Sequence, residues 1–172
     1  MEIGIAIIGL IVLTATFLPF IIVHRNKGKR ENEFLERLNW LAKTQASEIK
    51  DWDTTMELGI GLSADRQYVF FLRKKENQLS EQRVDLNTIQ KCVANTIRRS
   101  VNTKAGKDSI IEKLELVFVP IHPTKDTIRL EFFHSNESLQ IYEEYNLLKK
   151  WEKTLQEVLT TRKAEQYLTS IA

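Results

Sequence analysis

Cysteine is nearly absent. Cys92 is the only one in 172 residues, so the chain can build neither a disulfide framework nor a thiolate zinc cluster, and a reducing compartment suits it. Three prolines and six glycines are too few for a collagen-like or low-complexity chain. A hydrophobic content of 42% with 28% charge excludes an intrinsically disordered one. A net charge of +2 gives no bulk electrostatic footprint, and no nucleic-acid partner is expected. His24, His122 and His134 are scattered without metal-ligand spacing, and no metal or cofactor is expected.

What is present is unevenly spread. Residues 1–23 hold one charge, Glu2; residues 24–50 hold seven Lys/Arg against four Glu; residues 51–172 hold eighteen of each sign. Residues 3–23 are 21 in a row without an ionisable side chain, and fourteen of them are Ile, Leu, Val or Phe. As a helix that run would be about 30 Å long, the thickness of a bilayer core. The sequence therefore predicts a transmembrane helix over 1–24. A cleavable signal peptide would need a basic stretch before the run, and only Met1 and Glu2 precede it. Arg25, Lys27, Lys29 and Arg30 follow directly, which by the positive-inside rule puts the N-terminus outside. The expectation is a single-pass protein of the inner (cytoplasmic) membrane. The bilayer would be its partner through residues 3–23, and its later residues would lie in the cytoplasm.

Residues 25–50 read as a basic juxtamembrane segment and an amphipathic linker helix. Phe34, Leu38, Leu41 and Gln45, widened by Leu35 and Ala42, form a stripe at helical spacing. Packing of that stripe on the following domain is the first expectation, and homo-oligomerisation through it the second.

Residues 51–172 read as one domain. Leu58, Ile60 and Leu62 alternate with Gly59 and Gly61, a strand in which the glycines permit a bend or a close neighbour. Tyr68 to Leu72 reads as a second strand and Arg73 to Asn77 as a turn. Further strands are predicted at 82–86 and 89–99, with a polar loop over 100–109. Leu114, Leu116 and Phe118 face Ile128, Leu130 and Phe132 across a hairpin. Ile141, Tyr145, Leu148, Trp151, Leu155 and Val158 then make a helical stripe ending near Thr161, which must cover the open face of the sheet.

Antiparallel strands closed by one C-terminal helix carrying Trp151 resemble a pleckstrin-homology-like (PH-like) domain, as in uncharacterised bacterial single-span membrane proteins. Leu58-Gly59-Ile60-Gly61-Leu62, Val84-Asp85-Leu86 and Leu116-Val117-Phe118-Val119-Pro120 carry the likeness. The resemblance implies an α+β fold: a transmembrane helix, a linker helix, then an antiparallel PH-like β-barrel or sandwich closed by a C-terminal helix. It implies no catalytic residue.

Motifs for chemistry are weak. Asp51-Trp52-Asp53-Thr54-Thr55 matches the D-x-D-x-T pattern of haloacid-dehalogenase-like phosphatases, but polar Ser47 to Lys50 precedes it and no parallel α/β pattern follows. The aspartates read as a turn or cap. The basic groups Arg73-Lys74-Lys75 and Arg98-Arg99, with Lys104 and Lys107, are the candidate contacts for lipid or a protein partner. The function expected is a membrane-anchored, non-enzymatic adaptor presenting a PH-like protein-interaction domain to the cytoplasm, for an unknown protein partner. One alternative is a peripheral module reading anionic lipid through these basic loops. Another is a small membrane-anchored hydrolase built on Cys92 or a carboxylate.

Overall fold

The computed structural model describes residues 14, 16, 28–75, 78–103, 106–137 and 141–171. Helix α1 covers 28–43 and buries Phe34, Leu38 and Ala42, one residue per turn along a single face. It closes in a Schellman motif. The Ser47 N–H donates to the Ala42 carbonyl at 3.1 Å and the Ala46 N–H to that of Lys43 at 3.0 Å. Ala46 holds the left-handed position at φ 52°, where glycine is usual. No glycine marks the stop, so the sequence runs the helix on to residue 49, whereas the structure begins a strand there.

Seven strands follow: β1 (Ile49–Thr54), β2 (Leu58–Ser63), β3 (Tyr68–Lys75), β4 (Gln78–Asp85), β5 (Ile89–Thr103), β6 (Gly106–Pro120) and β7 (Ile128–His134). They form two antiparallel meanders, β1-β2-β3-β4 and β5-β6-β7. A single 3-10 turn, Leu86–Thr88, joins them, and helix α2 (Tyr142–Ile171) comes last.

The inner faces meet in one core. Leu58, Ile60, Leu62, Val69, Phe71 and Val84 come from the first sheet, and Cys92, Leu114, Leu116, Phe118, Leu130 and Phe132 from the second. Phe71 and Phe132 touch across the sandwich with ring centroids 5.3 Å apart. Leu148, Trp151, Leu155 and Val158 of α2 complete this core. On the first turn Glu144 is buried at 3% exposure, while Tyr145 is 38% exposed. The stripe 144, 148, 151, 155 keeps the 3.6-residue period that a stripe through Tyr145 breaks.

The outer face of the first sheet is covered as well. Phe34, Leu38 and Ala42 pack on Phe70 and Leu72, which alternate with the inward Val69 and Phe71. Gly59 and Gly61 make this approach possible. A Cβ on Gly59 would stand 3.2 Å from Phe34, and one on Gly61 would stand 3.2 Å from Ile49 and 3.5 Å from Leu38.

Several expectations are corrected. Among the described residues no helix is long and apolar enough to cross a membrane. Seven charged residues lie in 28–43 and ten in α2, so neither helix offers an apolar run. The run predicted to span, 3–23, lies outside the described residues except Thr14 and Thr16, which are helical. The expected transmembrane helix, single-pass topology and inner-membrane localisation are therefore not supported by the structure. Among the described residues 28–171 the fold is two helices and seven strands in two sheets. Residues 100–109 are not a loop: their described positions belong to β5 and β6. Nor is 73–75 a turn, since β3 runs through Lys75.

Candidate interaction arm

β5 and β6 are fifteen residues each and pair from Ile89–Pro120 out to Thr103–Gly106. β7 pairs with β6 only between Lys113 and Phe118. Past Lys113 the second sheet therefore continues as a two-stranded ribbon about 20 Å long. Gly106 at its tip has φ +128°, a backbone conformation open to glycine and strained for other residues. A bulge between Ile97 and Arg98 places an extra residue, Glu112, on β6 and twists the ribbon at its root.

Register fixes what each face presents. Arg98 opposes Ile111, Ser100 opposes Ser109 and Asn102 opposes Lys107 on one face. Arg99 opposes Ile110 and Val101 opposes Asp108 on the other. The basic residues that look contiguous in sequence are thus split, with Arg98 and Lys107 on one side and Arg99 on the other. All three are exposed. Lys104 lies outside the described residues. A ribbon with its cations divided between two faces is a poor match to a planar anionic surface.

The other predicted basic group is consumed internally. Arg73 is only 3% exposed. It donates to the Glu131 carbonyl at 2.8 Å, to the Glu131 carboxylate at 2.5 Å and to Glu137 at 2.8 Å. Lys75 donates to Glu131 at 2.7 Å and to Glu137 at 3.2 Å, and Lys113 sits 3.3 Å from Glu131. Burial pushes the Glu131 carboxyl up, but the Lys75 hydrogen bond and the nearby Arg73 charge outweigh it and hold the group below its ordinary range. The Glu131 hydrogen bond likewise raises Lys75. Lys74 is exposed, and Lys75 keeps 42% of its side chain in solvent while it holds these contacts.

This network also caps the free edge of β7, because Arg73 takes a carbonyl that no strand reaches. The opposite edge, on β5, is capped from α2. The Ala94 N–H donates to Glu152 at 2.7 Å, and Gln156 donates to the Cys92 carbonyl at 3.2 Å. Beyond Ala94, no described strand pairs with the outer edge of β5. Because backbone groups alternate along a strand, Thr96, Arg98, Ser100 and Asn102 direct their N–H and C=O groups outward, as Ala94 does.

The remaining chemical candidates are structural. Burial, with the Glu152 charge, pushes the Cys92 thiol up to about 12, which leaves it protonated and unreactive. Asp53 accepts the Trp151 indole N–H at 2.9 Å and the Lys150 ammonium at 2.7 Å, so it anchors α2 to β1. Asp51 is exposed on the same edge strand. His122 is exposed, the His134 Nδ1 accepts from the Asn136 N–H at 3.2 Å, and His24 lies outside the described residues. Among the described residues no group of three or more His, Cys, Asp or Glu is placed to hold a metal.

Sequence reasoning missed the arm because Ser100, Asn102, Lys107 and Ser109 have loop composition. The signal that was present is the β-branched set Val101, Thr103, Ile110 and Ile111, which favours an extended chain. No family model, curated protein or solved structure matches this chain.

Proposed function

We propose that this protein is a non-enzymatic protein-interaction module of PH-like architecture that takes an extended partner segment by strand addition along the outer edge of β5. The observation that carries the reading is the stretch of that edge beyond Ala94, where capping by α2 ends and no described strand pairs. The order of four strands, three strands and a closing helix supports the PH-like likeness. The buried, protonated Cys92 offers no thiolate. Arg98 and Lys107 on one face of the ribbon favour a partner with acidic side chains at alternate positions.

The test is a photo-crosslinking side chain at Asn102 of the full chain, in cells. A discrete adduct is expected, lost in Ser100→Pro, which removes an outward N–H without touching the β5–β6 ladder. Circular dichroism of that variant should match the parent. Adducts that survive Ser100→Pro, or no adducts from the arm, would sink the proposal.

A further inference from the structure

At the end of the sandwich opposite the arm, the 3-10 turn, the β6–β7 turn and the later part of α2 surround a cavity of about 240 Å³. Its inner wall is Leu86, Ile89 and Leu159, all buried, and Ile121, 50% exposed, stands at the mouth. Arg162, Lys163 and Asn87 supply the polar side. We propose that this cavity binds a small aliphatic carboxylate, either a free acid or the carboxylate that ends a peptide chain.

Arg162 lines this cavity, and its Nη2 donates to the Asn87 side-chain oxygen. The Asn87 amide nitrogen is held in turn by Asp85 at 2.9 Å and Gln67 at 3.4 Å, so its oxygen stays turned to Arg162. The guanidinium is therefore positioned in advance, the condition that makes a carboxylate contact worth most.

Charge selects between two neighbouring cavities. Arg162 also lines a second one, of about 350 Å³, but Asp65 and Glu165 line it too and oppose an anion there. The smaller cavity has no acidic residue in its lining and gains Lys163. Its volume equals roughly eight waters, enough for a short branched chain and one carboxylate. Inorganic phosphate would set charged oxygens against Leu86, Ile89 and Leu159, which an aliphatic body covers instead.

Saturation-transfer NMR on the full chain tests this with isovalerate, isovaleramide and a leucine-terminated peptide in free and amidated forms. Isovalerate should bind at about millimolar affinity or better, and isovaleramide at least tenfold more weakly. Arg162→Gln should weaken isovalerate at least tenfold and Lys163→Gln a few-fold. Ile121→Asp, at an exposed position, should abolish binding without changing the fold. Tighter binding of the free-ended peptide than of isovalerate assigns the site to a chain end; the reverse assigns it to a free acid. Equal binding of acid and amide, an unaffected Arg162→Gln, or no binding by either acid overturns the proposal. If Arg162→Gln does not fold, Lys163→Gln and Ile121→Asp decide it.

Discussion

The Cβ that Gly59 lacks would stand 3.2 Å from the Cβ of Phe34, so the seat of α1 on the first sheet is set by a missing methyl group. Gly59→Val should destabilise the protein by about 1–3 kcal/mol through overpacking, despite valine's preference for strands. Phe34→Ala in the same chain should recover part of that loss, because the two positions share one contact. Chemical denaturation of the four chains measures the coupling. Additive effects would show that α1 does not rest on Gly59.

Asp53 and Trp151 form the second test. Trp151 is 2% exposed, and Trp151→Ala should cost about 3–5 kcal/mol. Asp53→Ala strands the indole N–H and should cost about 1–3 kcal/mol, whereas Asp53→Asn keeps an acceptor and should cost less. Lys150 is 61% exposed in its side chain, and Lys150→Ala should change melting little. Equal shifts for Asp53→Ala and Lys150→Ala would mean that the hydrogen bond is unimportant.

Two glutamates should respond to pH with opposite sign. Glu131 is held below its ordinary range, so its stabilisation is present above the unfolded value, about 4.3, and fades as pH falls through the folded one. Glu131→Gln should therefore lower the melting temperature at pH 7, with a deficit that narrows on acidification. Glu144 is raised, by burial first and then by the charges of Glu57 and Glu143, and its Oε2 is buried without a partner. Its folded state holds a proton more tightly, so stability is full below the unfolded value and is lost as pH rises through the folded one. Glu144→Gln should melt higher than the parent at pH 8 and alike near pH 4. Parallel melting curves for both variants across this range would contradict the assignment.

Cys92 should report unfolding. With its thiol pushed up to about 12, about one molecule in ten thousand carries a thiolate at pH 8, and the sulfur is 0% exposed. Reaction of the full chain with a thiol-specific disulfide reagent should be slow and should accelerate with denaturant. Stoichiometric reaction within seconds in native buffer would place Cys92 at an accessible site.

Periodicity made much of the fold legible. Leu58, Ile60 and Leu62 alternate because one face of β2 enters the core. Phe34 and Leu38, or Leu148, Trp151 and Leu155, recur at helical spacing for the same reason. The stop of α1 was not legible, because an alanine rather than a glycine takes the left-handed position. β1 was hidden by two aspartates, one of which is matched to partners 97 and 98 residues away. The arm was hidden by its polar composition.

The sequence by itself determined which residues prefer burial and with what period, since a strand or helix segregates its own side chains locally. Only the tertiary structure decided which charges are spent and which backbone edges stay unpaired. Arg73 and Lys75 look as available in sequence as Arg98 and Arg99. Folding brings glutamates from 56 to 64 positions away onto the first pair, while the second pair lies beyond the reach of β7 and is divided between two faces. Both outcomes depend on how two sheets and a helix pack, which no local pattern carries.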